Sequence, residues 1–243
     1  MLAYHRAILA SRKMNALQEQ VEKGAKILKE GGVIAFPTDT VYGLGADAFN
    51  PKAVERIYEV KKRPRQLAFP LLIADMSQLT AVAEPISGIA WFLARHFWPG
   101  GLTLVLPKAA SLPAYLASQS SIAVRVPDHP ICLALIRCLG NPIIGTSANI
   151  SGKPVTLTAD EVKQQLRDKV DLIIDGGECP GGSETTIVDV TSEVPVILRQ
   201  GIIPTYEIDE AYKEYLEGNC SPWCHSEGAQ RPKNLGDPSR SLS

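Results

Sequence analysis

Apolar residues at Leu17, Val21, Ala25 and Leu28 recur near the helical period, and Asn15 ahead of them is placed to cap a first turn. Gly31-Gly32 supplies the left-handed geometry that ends such a helix. Residues 33–36 form a short apolar run closed by Pro37, which reads as a buried strand. Asn50-Pro51 starts a second helix with a capping side chain and a first-turn proline; Val54, Ile57 and Tyr58 supply its inner face and Pro64 ends it. A strand over 69–74 follows, then two short helical stretches, the second over 86–97. Residues 102–106 and 122–126 are strand-like, 130–139 is helical, and 143–144 is a strand leading into the polar run 145–149. Thr158 and Glu161 have capping-box spacing ahead of another helix, and 172–174, 187–190 and 196–198 are further short strands. Strands interleaved with helices predict an α/β layered fold, and strands that follow one another directly late in the chain make the sheet mixed.

Composition sets bounds on this picture. The 243 residues are 45% hydrophobic and 21% charged, enough apolar surface for a core, with no internal repeat. Residues 1–14 carry His5, Arg6, Arg12 and Lys13 and no acid, and are read as an N-terminal extension; 15–217 is the folded domain. Residues 218–243 are rich in Gly, Ser, Pro and Asn with little bulk to bury, which predicts a disordered tail. The formal net charge of -1 gives no global field toward nucleic acid or an anionic membrane, so any anion site is a local cluster. No stretch approaches the roughly 20 apolar residues of a membrane span. Cysteines at 132, 138, 179, 220 and 224 lack a disulfide-framework spacing and suit reduced thiols in a cytoplasmic setting.

The candidate chemistry sits where apolar runs give way to polar ones. Lys61-Lys62-Arg63-Pro64-Arg65 is either a solvated helix end or a set of cations turned into a cleft at a helix–strand corner. Residues 38–45 and 145–152 combine hydroxyls, amides and glycines after strands, as ligand-contacting loops do and as locally bonded turns also do. Arg125, inside an apolar strand, needs a partner: an internal aspartate or a substrate carboxylate would serve. Residues 181–186 form a third polar loop, and Arg199 ends an apolar strand. The chain has no Walker A pattern, no G-x-S-x-G elbow and no metal-ligand spacing among its four histidines. Cys220 and Cys224-His225 are one residue too far apart for a haem-attachment motif.

Phe36-Pro37-Thr38-Asp39-Thr40-Val41-Tyr42-Gly43-Leu44, Lys61-Lys62-Arg63, Arg125-Val126-Pro127, Thr146-Ser147-Ala148-Asn149 and Leu198-Arg199-Gln200-Gly201, in that order, resemble the YrdC/Sua5 family, the threonylcarbamoyl-AMP synthases. The resemblance covers roughly residues 15–204 and is to the short, single-domain type. It implies a twisted mixed sheet flanked by helices, the YrdC/RibB-like fold, around a large concave basic cavity. The activity it implies is a nucleotidyl transfer, in which L-threonine, bicarbonate or CO2, and ATP condense to threonylcarbamoyl-AMP and pyrophosphate. That product would pass to a transferase complex that modifies adenosine 37 of tRNAs, and an RNA contact is compatible with such a role. By resemblance Lys61 and Arg63 are catalytic, and ATP is bound by Lys61, Arg63, Ser147, Asn149, Ser151 and Arg199. Threonine is bound by Thr38, Arg125 and Thr146, with Tyr42 and Ser183 as cavity wall. Mg2+ is expected to arrive with ATP, held by phosphates rather than by protein side chains alone. The rivals are an RNA-binding module and a related carbamoyl transfer of the hydrogenase-maturation type.

Overall fold

The computed structural model describes residues 2–64, 67–116 and 120–218, with 2–14 as backbone alone. In chain order the elements are α1 (Leu2–Lys29), β1 (Ile34–Phe36), β2 (Gly43–Asp47), α2 (Pro51–Lys61), β3 (Leu71–Leu72), α3 (Leu79–Val82), α4 (Gly88–Phe97), β4 (Leu102–Pro107), β5 (Ser121–Arg125), α5 (Pro130–Leu139), β6 (Ile143–Ser147), α6 (Ala159–Leu166), β7 (Leu172–Ile173), β8 (Thr186–Asp189), β9 (Val196–Arg199) and α7 (Thr205–Leu216). The expected tail beyond Gly218, with Cys220, Cys224 and His225, lies outside the described residues, as does Arg65.

The strands form one nine-stranded sheet in the order β7-β1-β2-β6-β3-β5-β4-β8-β9. Three pairs are parallel (β1 with β7, β3 with β5, β4 with β8) and the rest antiparallel, so the sheet is mixed as the chain pattern predicts. Alternation along each strand assigns its faces. Ile34, Phe36, Leu72 and Ile143 pack with Val21 and Leu28 of α1 and Leu135 and Ile136 of α5. Val33, Ala35, Leu71 and Ile144 turn the other way, into a larger core with Ile57 of α2, Leu93 of α4 and Ile208 of α7. None of the buried residues of the α1/α5 cluster comes from β4, β5, β8 or β9. Among the described residues, that half of the sheet is covered on one face only. Its uncovered face carries Thr103, Val105, Ala123, Arg125, Ile187 and Leu198, and these residues line an open cavity.

Several sequence expectations need correction. Helix α1 runs unbroken from Leu2, so Asn15 lies inside it and the boundary at 14/15 is not a break. No proline and no glycine before Gly24 interrupts a stretch rich in Ala, Leu, Lys and Gln, so nothing forces a new start. Its end is as expected: Gly31 takes φ 86°, and Gly31 and Gly32 donate back to Leu28 and Ile27. The strand expected over 69–74 shrinks to Leu71–Leu72, since Pro70 has no N–H and only single bonds, such as Ile73 N–H to the Arg125 carbonyl, continue it. The polar runs 38–45 and 145–149 are partly strand, because β2 begins at Gly43 and β6 reaches Ser147. Gly45 is there for packing rather than turning: a Cβ on it would stand 2.6 Å from Ile143 and 2.7 Å from Phe36. Helix α7, not expected from the pattern, buries Ile208 and Ala211 and sets Tyr215 against Phe92 of α4. Among the described residues no helix is long and apolar enough to cross a membrane.

Candidate functional site

The cavity encloses about 550 Å³ beneath the loops that follow β1 and β6 and beside the C-terminal end of α2. Among the described residues four cations, Lys61, Arg63, Arg125 and Arg199, line it together with one carboxylate, Glu184. Local concentration of positive charge in a chain of net charge -1 is what an anionic ligand requires. Of the residues expected from sequence, Lys61, Arg63, Ser147, Asn149, Ser151, Arg199, Thr38, Arg125 and Thr146 all line this single space.

Helix α2 and the residues just past its cap deliver the first two. Asn50 caps it, accepting from Lys52 and Ala53 N–H at 3.1 and 3.2 Å, and Lys62 ends it in the left-handed conformation. Lys61, on the last turn, is only 3% exposed. Its ammonium donates to the Ser147 carbonyl (2.6 Å), the Asn149 carbonyl (2.7 Å) and Asn149 Oδ1 (2.9 Å), with Ser147 Oγ at 3.4 Å. Burial, reinforced by neighbouring Arg63, pushes its pKa down to about 8. Arg63 bonds the Leu67 and Ala68 carbonyls and lies 4.8 Å over the Phe69 ring, and burial lowers its pKa too.

Arg125, also in the lining, is held by three protein acceptors. Its Nε donates to the Gly100 carbonyl at 2.8 Å, one terminal nitrogen to Asp39 at 2.6 Å and the other to Thr40 Oγ1 at 3.4 Å. Of the two partners open to Arg125 on sequence, the fold supplies the internal aspartate. Thr38 Oγ1 donates to the Val41 carbonyl and accepts from the Thr40 and Val41 amides, so its hydroxyl braces the loop that carries Asp39. Arg199 bonds the Thr185 carbonyl through two nitrogens and pairs with Glu184 at 2.7 Å, and Thr185 meets Thr103 hydroxyl to hydroxyl at 2.8 Å.

Two expected wall residues are elsewhere. Tyr42 is fully buried in the core and donates its hydroxyl to the Gly177 carbonyl at 2.9 Å; burial raises its pKa to about 12. Ser183 is exposed and outside the lining, where its neighbours Glu184 and Thr185 stand instead. Sequence reasoning missed Asp39, Glu184, Thr185 and Thr103. The signal for Glu184 is weak: it lies in the polar loop 181–186, next to Ser183. Among the described residues no three His, Cys, Asp or Glu side chains gather as a metal cluster.

A family model covering Sua5, YciO and YrdC proteins, described as telomere recombination, matches residues 26–201. The threonylcarbamoyl-AMP synthase of Pyrococcus abyssi is 43% identical over 204 residues, which span 82% of this chain and 60% of that protein. The Bacillus subtilis threonylcarbamoyl-AMP synthase is 44% identical over 78% of this chain and 56% of its own length. The chain thus spans little more than half the length of these curated relatives. A crystal structure of P. abyssi Sua5 complexed with L-threonine superposes with TM-score 0.76 at 44% identity, over 79% of this chain and 56% of that one. YciO of Escherichia coli, an uncharacterized protein, is 34% identical and is covered over 92% of its length; its crystal structure superposes with TM-score 0.71. With most of its length matched by one family model, and a shared fold beneath the shared sequence, this chain belongs to the Sua5/YciO/YrdC family.

Proposed function

We propose that this chain forms threonylcarbamoyl-AMP from L-threonine, bicarbonate or CO2, and ATP, and releases pyrophosphate. The observation that carries the reading is the meeting, in one cavity, of the cations and hydroxyls suited to a nucleotide with Arg125, Thr38 and Thr146. The names of the P. abyssi and B. subtilis relatives point the same way.

In this reading the threonine amine adds to CO2, losing a proton, and gives a carbamate. A carbamate oxygen then attacks the α-phosphorus of ATP, and the bond from that phosphorus to the bridging oxygen breaks as pyrophosphate leaves. Such chemistry asks the protein for positioning and charge neutralisation rather than a nucleophile of its own. Arg63 and Arg199, with the charge of Lys61 behind them, offset the negative charge on the departing pyrophosphate. Ser147, Asn149 and Ser151 bind the nucleotide, while Arg125, Thr38 and Thr146 hold the amino acid, Arg125 taking its carboxylate. Mg2+ enters as part of the nucleotide substrate. The cavity's carboxylate Glu184 is paired with Arg199, a donor set better suited to phosphate than to an all-protein metal cage. A cytoplasmic location and transfer of the product to a tRNA-modifying complex complete the proposal.

Purified protein given ATP, L-threonine and bicarbonate is expected to release pyrophosphate only when all three are present. Release with ATP alone, or none with all three, would overturn the reading.

A further inference from the structure

Lysines that grip a polyphosphate keep ammonium protons free for it. Lys61 does not. An ammonium carries three donors, and three protein oxygens stand within 2.9 Å of this one: the Ser147 carbonyl, the Asn149 carbonyl and Asn149 Oδ1. A fourth, Ser147 Oγ, closes the group at 3.4 Å. The stem rises from the last turn of α2, so the charge is anchored to a rigid element, and at 3% exposure little of the residue meets water.

The same oxygens organise what lies beyond them. Asn149 Oδ1 also accepts from Ser147 Oγ at 2.6 Å, and Asn149 Nδ2 donates to the Lys153 carbonyl at 2.6 Å. Lys153 N–H returns to the Ile150 carbonyl at 2.9 Å, which closes the turn that presents Ser151 and Gly152 to the cavity. Two main-chain carbonyls and an amide oxygen converge on one point. Without a cation there they would repel one another, and the two carbonyls would lose the ammonium as donor, at roughly 1–3 kcal/mol apiece, leaving Asn149 Oδ1 with Ser147 Oγ alone. Rings of carbonyl oxygens of this kind are how proteins replace the hydration shell of a small cation.

We infer that Lys61 is a positioning residue whose ammonium serves as a tethered cation, filling an oxygen cage made by Ser147 and Asn149 and fixing the 147–153 turn in nucleotide-binding form. The inference deepens the function proposed above and rests on it for the identity of the ligand. Lys61 and the Ser147-x-Asn149 run belong together in this chain because each is the other's hydrogen-bond partner.

The test reads the turn before any substrate is added. Amide hydrogen exchange at residues 147–153 is measured in the ligand-free full chain, in Lys61→Ala and in Lys61→Met, which keeps the volume of the buried stem. Exchange across the turn is expected to quicken by about tenfold or more in both variants. Added methylammonium should restore slow exchange in Lys61→Ala, where a space is open, and fail to do so in Lys61→Met. Affinity for ATP, followed by calorimetry, should fall and recover in step with the exchange rate. Loss of ATP affinity with unchanged exchange in the free protein would overturn the inference and make Lys61 a direct phosphate ligand. Should Lys61→Ala not fold, unchanged exchange in Lys61→Met with lost ATP affinity overturns it equally. Because the exchange measurement uses no substrate, it stands apart from the pyrophosphate assay, and either can fail without the other.

Discussion

Arg125 shows how one side chain is prepared for a ligand. A guanidinium has five N–H donors. Gly100, Asp39 and Thr40 each engage one of its three nitrogens, and donors remain for an incoming carboxylate. Asp39 does two things here: it offsets the buried charge and fixes the plane of the fork. Asp39→Asn keeps the shape but removes the charge, and calorimetric titration should find L-threonine bound about tenfold more weakly, or ~1.4 kcal/mol, with ATP little affected. An equal loss for both ligands would mean that the substitution loosens the whole loop instead. Lys61 makes a second prediction at this scale. Burial and Arg63 bring its pKa to about 8, so its ammonium is intact below that value and gives up its charge as pH climbs through it. The neutral amine has one donor fewer for its oxygen cage and no charge toward an anion. ATP affinity, followed from about pH 7 to about pH 9.5, is therefore expected to decline above about 8. In Lys61→Met that decline should be absent, whatever the absolute affinity.

Elements differ in how plainly the chain announces them, and the difference is physical. Caps are local, so they read well: Asn50 with Pro51, Thr158 with Glu161 and the Gly31 ending are all present as expected. Glycine in a strand reads badly, because the same residue that permits a turn also permits close approach. Gly43 and Gly45 read as loop, yet they belong to β2, where Phe36 and Ile143 leave no room for a side chain on Gly45. Helix α7 has only Ile208 and Ala211 buried, too thin a stripe to stand out. At the site, charged and hydroxyl residues with motif spacing were legible, whereas Asp39 and Glu184 acquire their roles from partners 86 and 15 residues away. The cap of α2 offers a clean separation of stability from chemistry. Asn50→Ala removes the acceptor for two first-turn amides at the end of the helix remote from Lys61. Denaturant titration should show a loss of about 1 kcal/mol. Turnover of the folded fraction should stay near that of the parent chain.

At the scale of the molecule, the cavity exists because the sheet is longer than the layer that α1 and α5 can cover. Its residues come from the loops after β1 and β6, the end of α2, and strands β2, β3, β4, β5, β6, β8 and β9, so no single segment could hold the ligand. Arg199, bonded to Thr185 and Glu184, joins the last strand pair to that assembly. A ligand bound to surfaces from so many elements favours the complete fold over any partly opened form. It should therefore stabilise the molecule as a whole and not merely quiet one loop. At a free concentration about one hundred times its Kd, a nucleotide that binds only the folded chain adds about 2.7 kcal/mol. For a chain of this size that corresponds to a rise of roughly 5–10 °C in the unfolding midpoint followed by circular dichroism. The rise should grow with the logarithm of nucleotide concentration and shrink in Arg199→Ala, which unties β9 from the site. A midpoint that stays put while calorimetry still registers binding would show that the ligand engages a local segment, and that the uncovered half of the sheet is not where it sits.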